Sequence, residues 1–133
     1  MSINGNSRGP LGIALRIDLN TVGDTFIPLP TGKFILRNVT VTNPSTTLAA
    51  SASTVGLYTA ASAGGTAIVT PSVSTTLTSA AVFADKTIAA ATAVFTPAWN
   101  ATAGTYGVYA RVAVVHGTAA TLDMYLFGDT LVP

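Results

Sequence analysis

Apolar residues alternate with small or charged ones along residues 11–19. Every second position carries an aliphatic side chain: Leu11, Ile13, Leu15, Ile17 and Leu19. Successive side chains of a β-strand point to opposite faces, so this spacing places all of them on one face, whereas a helix would scatter them around its circumference. The pattern predicts a half-buried strand whose aliphatic face is turned toward the core.

Two further segments of the N-terminal half favour extended structure. Residues 25–29 carry Pro28, which cannot donate a ladder hydrogen bond and therefore indicates an edge strand or a strand end. Residues 34–42 are rich in β-type residues, but their apolar face switches between Leu36 and Val39. That switch predicts either a β-bulge or a strand that is buried on both sides.

Residues 55–69, VGLYTAASAGGTAIV, place two short β-type runs on either side of a patch of small residues. We interpret them as a hairpin in which Gly64 and Gly65 supply the positive φ angles of the loop. A phosphate-cradling loop is the functional alternative. It is disfavoured because such a loop needs a lysine and a helix after its glycines, and neither follows here.

The C-terminal half also favours strands. Residues 81–95 mix helix-forming alanines with β-type residues, and we favour strands there. Residues 97–100 are predicted to form a turn. Residues 106–115 are apolar on both faces apart from Arg111, as in the central strand of a sandwich or a strand at a subunit interface. Residues 122–127 are the last predicted strand, which Gly128 and Asp129 should end.

The predicted elements are about eight short strands separated by turn residues, which is typical of an antiparallel sandwich or jelly roll. We therefore expect an all-β protein with one jelly-roll-like β-sandwich domain over residues 11–133. Residues 1–10 are polar and contain glycine, so they are expected to form a flexible N-terminal arm outside the core.

Charged residues make up only 8% of the chain, against about 25% in an ordinary soluble domain. Few charges leave little repulsion between like surfaces, so an assembly that hides apolar surface is expected. The net charge is +1 and the cations are scattered, which disfavours a nucleic-acid partner. No apolar run approaches the roughly 18 residues of a membrane span, and residues 1–10 lack a secretory pattern, so synthesis in the cytoplasm is expected.

Reactive groups are scarce. The chain has no cysteine or glutamate and a single histidine, His116, which precedes Gly117 in a predicted turn. No serine lies in a nucleophile elbow, and the aspartates lack the spacing of a calcium loop. Asp123 and Asp129 are expected on a solvated face. We predict no catalytic residue, metal site or cofactor, and no enzymatic activity.

Aromatic side chains can form a platform for sugars when several of them gather on one surface. Here they are spread over several predicted strands and one turn, at Tyr58, Trp99, Tyr106, Tyr109 and Tyr125. Core packing and cross-strand pairing account for them without a sugar site.

Two stretches together resemble small β-proteins from the head-structural module of tailed bacteriophages, among them the capsid cement or head decoration proteins. The first is residues 56–69, GLYTAASAGGTAIV, and the second is residues 119–128, AATLDMYLFG. The resemblance covers most of the chain from Phe34 onward and consists of common residue types.

The resemblance implies a jelly-roll-like virion structural protein, often trimeric, that sits on the assembled shell and contacts the major capsid protein. It implies synthesis in the host cytoplasm and a final location on the capsid surface. In that case Asn4, Asn6 and Arg8 of the arm are candidates for capsid contact. The alternative is a virion-surface or tail-associated module that binds host glycans.

Overall fold

A computed structural model describes residues 9–30, 32–89 and 93–131 of the 133-residue chain. The described residues contain nine β-strands and no helix. The strands are β1 (Gly12–Asp18), β2 (Gly23–Pro28), β3 (Lys33–Thr42), β4 (Thr54–Tyr58), β5 (Ala67–Ser72), β6 (Phe83–Lys86), β7 (Ala98–Asn100), β8 (Thr105–Val114) and β9 (Thr121–Leu131).

The strands form two antiparallel sheets. Sheet A has the order β1-β9-β3-β6, and sheet B has the order β2-β8-β4-β5, with β7 also paired to β8. The pairs β1–β9, β2–β8, β3–β6 and β4–β5 are nested inside one another along the chain, so the fold is one long antiparallel ribbon rolled into two sheets. This topology is a jelly roll, and it confirms the predicted all-β antiparallel sandwich.

The core lies between the two sheets. Sheet A contributes alternate residues of β3 and β9, such as Val39 and Met124, and sheet B contributes residues such as Leu57 and Val108, all fully buried. Burial of each such aliphatic side chain stabilises the fold by about 1.5–3 kcal/mol relative to an exposed one. Segments outside the strands complete the core, because Leu48 is also buried.

The predicted irregularity in β3 is a β-bulge. The register of β3 against β9 shifts between Leu36 and Asn38, so Leu36 and Val39 both point into the core although three positions separate them. Other predictions for the strands are also confirmed: β2 is an edge strand that ends at Pro28, and β8 is central in sheet B.

The prediction for the first strand is right about the strand and wrong about its face. Ile13 and Leu15 are 44% and 61% exposed, whereas Ala14 and Ile17 are buried. A second bulge shifts the register of β1 against β9 between Ala14 and Ile17, and Arg16 within it has a φ of 57°. The extra residue turns the first half of the period-two pattern toward solvent.

Asp123 holds this bulge in place. It is only 6% exposed, which overturns its expected place on a solvated face. One carboxylate oxygen accepts the Arg16 N–H at 2.8 Å, and the other accepts Nδ2 of Asn43 at 3.0 Å. Both partners have left-handed backbone, with φ values of 57° and 53°. Asp129, in contrast, is exposed as predicted and pairs with Arg37 at 2.9 Å.

Two predicted turns are strands. β9 continues through Gly128 to Leu131, because a glycine there lets the two backbones approach: a Cβ would meet the carbonyl oxygen of Ile35. Residues 98–100 form β7, which pairs with β8. Within residues 81–95, β6 is the strand and Phe95 makes an isolated bridge to Phe34; residues 90–92 lie outside the described chain.

Replacing Gly128 with alanine should destabilise the protein by about 1–3 kcal/mol, because the added methyl collides with the β3 backbone beside the bulge. Gly23→Ala is the control, since a methyl group at position 23 would meet no atom within 4 Å. The control should be neutral or slightly stabilising. Urea unfolding followed by circular dichroism measures both; equal stabilities would contradict the close approach.

Asp123→Ala should lower the free energy of unfolding by about 1–3 kcal/mol, since it leaves the Arg16 N–H and the Asn43 amide, both in part-buried hydrogen bonds, without their acceptor. Asp129→Ala removes an exposed ion pair and should cost at most about 1 kcal/mol. The two variants compared in the same urea titration test the buried role of Asp123, which similar losses for both would refute.

Candidate functional site

The residues proposed for the arm, Asn4, Asn6 and Arg8, lie outside the described residues, as does most of the arm. The structure describes the hairpin loop. The pairing of β4 with β5 confirms the predicted hairpin, and Gly65 has the expected positive φ of 66°. Gly64 does not: the other positive angles of the loop belong to Ser62 and Ala63, at 57° and 61°.

This loop reaches across sheet B instead of cradling a ligand. The Ser62 N–H donates to Asp24 Oδ2 at 2.8 Å, and the other oxygen of Asp24 accepts Nη1 of Arg111 at 3.1 Å. The loop is thereby tied to the edge strand β2 and the central strand β8. Asp24 has both of its oxygens bonded within the chain.

An aromatic cluster lies next to that ion pair on the outer face of sheet B. The rings of Phe26 and Tyr109 are 5.2 Å apart, and Asn100 Nδ2 donates to the Tyr109 hydroxyl at 3.2 Å. Asn100 Oδ1 also accepts the Ala103 N–H. A sugar platform needs polar groups that are free to bind hydroxyls. These groups bond to one another, so the cluster supports the sheet.

A second aromatic pair is open to solvent. Trp99 on β7 pairs across the strands with Tyr106 on β8, with ring centroids 5.0 Å apart and planes at 66°. The residues are 56% and 37% exposed, so the expectation that core packing accounts for Trp99 is wrong. Its predicted cross-strand pairing is confirmed. An exposed edge-to-face pair of this kind is the best candidate for stacking on an apolar or sugar ligand.

His116 lies in the connection between β8 and β9 and joins two other connections. Its N–H donates to the Leu19 carbonyl at 2.8 Å, and its Nδ1 lies 2.7 Å from Oγ of the buried Ser51. Ser51 Oγ is in turn 2.7 Å from Ser53 Oγ. In the described chain no carboxylate bonds to the ring, so the contacts of His116 tie loops together and do not form a triad.

Lys86, on the edge strand β6 of sheet A, is a buried cation. Its ammonium donates to the carbonyl oxygens of Ser72 and Val73 at 2.8 and 3.1 Å and to the Ser72 hydroxyl at 3.1 Å. Neither ion pair of the described residues includes it. Burial lowers the pKa of Lys86 from 10.5 to about 8. The contacts connect edge strand β6 of sheet A to the end of edge strand β5 of sheet B.

Several large apolar side chains lie on the outer face of sheet A. We call it the apolar outer face; it consists of Ile13, Leu15, Phe83, Tyr125 and Phe127. The register fixes its layout, because Ile13 lies opposite Tyr125 and Tyr125 lies opposite Thr40. Tyr125 and Phe127, on the inner strand β9, are half-buried.

The most exposed members of this face are at its two opposite edges. Leu15 on β1 is 61% exposed and Phe83 on β6 is 68% exposed. Each has an exposed charged neighbour, Arg16 on one edge and Asp85 on the other, and Thr40 Oγ1 donates to Asp85 at 2.9 Å. Each edge therefore carries exposed apolar surface with a charge beside its most exposed side chain, Arg16 beside Leu15 and Asp85 near Phe83; Asp18 is also exposed at the end of β1.

Neither edge is evident from the sequence pattern. The period-two pattern puts Leu15 on the core face, and no residue of β1 signals the bulge. The bulge is recognised only in the structure, where Ala14 and Ile17 are both buried although three positions separate them. Phe83 lies in an alanine-rich segment that mixes helix-forming and β-type residues. Its exposure follows from the register in which it faces Thr42 on the outer side of β3.

Residues 9–30, 32–89 and 93–131 contain no cluster of three or more potential metal-ligating side chains. No helix in this part of the chain is long and apolar enough to cross a membrane.

Comparison with known proteins gives no assignment: no family model matches the chain, and no curated protein or solved structure shows significant similarity to it. The surface itself must therefore support any functional proposal.

The stability of the wild-type protein should rise between about pH 8 and pH 10.5, because there the folded state has released the Lys86 proton that the unfolded chain still binds. Lys86→Met should remove this rise, so its stability relative to wild type should fall as pH increases through that range. Urea unfolding at several pH values measures the difference. Lys33→Met, at an exposed lysine, is the control and should keep the wild-type profile.

Proposed function

We propose that the protein is a non-enzymatic virion structural protein that cements the head of a tailed phage, in which it bridges major capsid subunits as a homotrimer. The observation that carries the proposal is the apolar outer face, with its most exposed side chains at two opposite edges. Ile13 and Leu15 of β1 lie beside Tyr125 of the neighbouring strand β9, whereas Thr40 and Thr42 of β3 lie between Tyr125 and Phe83. Exposed apolar patches mark protein contacts in soluble proteins. The sparse charge of the chain and its jelly-roll fold, which recurs in viral capsid domains, support the same role.

The mechanism is additive burial. Each copy covers a junction between capsid subunits, so a fluctuation that opens the shell must also break the contacts of the cement. At about 25 cal/mol per Å², a footprint of about 800 Å² per partner gives a large gross gain, of which association costs remove much. Repetition over the shell makes even a small surplus per copy effective. The protein is made in the host cytoplasm and acts on the capsid surface, without cofactor, nucleic acid or membrane.

A glycan-binding module on the virion surface or tail is the second candidate. One observation favours it: the rings of Trp99 and Tyr106 form an edge-to-face pair that is open to solvent. Jelly rolls also occur in lectins, although a fold by itself does not give a function.

The first experiment is co-sedimentation with heads assembled from the major capsid protein of the same phage. We expect saturable binding and a higher temperature of head disruption. Ile13→Ser, on the apolar outer face, should weaken binding about tenfold or more, because it removes apolar contact at the footprint. Val22→Ser, in the β1–β2 turn, is similarly exposed and should bind like wild type.

Failure of the wild-type protein to sediment with heads would contradict the cement function. Binding to a glycan array that is lost in Trp99→Ala and kept in Ile13→Ser would establish the second candidate in its place.

A further inference from the structure

We propose that copies of this chain associate head to tail, with the β1 edge of sheet A in one copy against the β6 edge in the next. The contact would join Leu15 to Phe83 and Arg16 to Asp85 of neighbouring copies. This inference deepens the proposed function. It rests on the proposed function for one element, the closure of the ring at three copies.

The two edges are complementary. Leu15 and Phe83 are among the most exposed large apolar side chains of the described residues, at 61% and 68%. They lie on the outermost strands of sheet A, so about three strand spacings of about 4.8 Å separate them and they cannot cover each other within one molecule. In a head-to-tail contact, Phe83 of one copy would cover Leu15 of the next.

Charge makes the match directional. Arg16 lies next to Leu15, and Asp85 lies two residues from Phe83, both exposed. Neither belongs to an ion pair within the described chain, where the two ion pairs are Arg37–Asp129 and Arg111–Asp24. Contact between two β1 edges would bring Arg16 against Arg16, and contact between two β6 edges would bring Asp85 against Asp85. Asp18, the other exposed charge of β1, has both oxygens bonded to Asn20 and Thr21. Of the contacts centred on Leu15 and Phe83, β1 against β6 is the one that joins Arg16 to an opposite charge.

The backbone of these edges is poorly suited to extend the sheet. The bulge in β1 places Arg16 at a φ of 57° and interrupts the ladder, and β6 has only four residues. Bulges and short edge strands block edge-to-edge hydrogen bonding. The contact is therefore made by side chains.

Exposure also favours a lateral contact over two outer faces stacked on each other. The middle of the apolar outer face, at Tyr125 and Phe127, is half-buried by its own sheet, and the strongly exposed residues are at the rims. A head-to-tail contact that uses two different patches generates a ring when the rotation between copies closes and a filament when it does not, whereas stacked faces would give a two-fold dimer.

The test is a charge exchange read by size-exclusion chromatography with light scattering over a concentration series, without heads. The wild type should give about three times the chain mass of 13.4 kDa. Arg16→Glu and Asp85→Arg each place like charges in the contact and should weaken association about tenfold or more. The double variant restores opposite charges in every contact and should reassemble. Lys33→Glu, at an exposed site on β3, is the control and should assemble like wild type.

An equimolar mixture of the two single variants decides the symmetry. In a two-fold dimer, one copy of each variant would satisfy both contacts and restore assembly. In a ring of three, at least one contact of any mixed ring joins like charges, so the mixture should stay dissociated while the double variant assembles. Circular dichroism confirms that each variant is folded.

Three results would overturn the proposal: a wild-type monomer at every concentration, single variants that assemble like wild type, or a mixture that assembles as well as the double variant. None of them depends on heads. The cement function is judged separately by co-sedimentation, so failure of one proposal is distinguishable from failure of the other.

Discussion

The pairing of the first strand with the last is the constraint on which the rest of the structure depends. β9 lies between β1 and β3 in sheet A, so the chain must bring residues near its two ends together before the outermost pair of the ribbon is complete. The buried carboxylate of Asp123 stabilises this junction, because it bonds both the bulge in β1 and Asn43 just beyond β3. The inner pairs of the ribbon end at the β4–β5 hairpin, whose loop is tied back to Asp24.

The two bulges beside β9 have different consequences. In β3 the extra residue keeps Leu36 and Val39 on the core side, so it serves packing. In β1 the extra residue turns Leu15 outward next to Arg16. The second bulge thus converts a strand that could have been half-buried into an edge with an apolar side chain and a charge, which is the surface both proposals use.

Several polar groups of the interior bond within the chain, although the buried Ser74 Oγ has no hydrogen-bond partner among the described residues. Lys86 donates to carbonyls at the end of β5, and His116 bonds to Leu19 and Ser51 in two other connections. These bonds satisfy backbone groups at the edges and ends of the sandwich, where the ladders stop.

The sequence by itself determined the fold class, because period-two patterns and turn residues are local signals. It marked an irregularity in residues 34–42, and the register against β9 showed that this is a bulge. It also located the hairpin around Gly65 and the core face of β9. Only the tertiary structure decided the burial of Asp123, the exposure of Leu15 and the continuation of β9 through Gly128. Each of these depends on a strand distant in sequence: which face a residue presents is set by its register against that strand, and a shift of one residue reverses it.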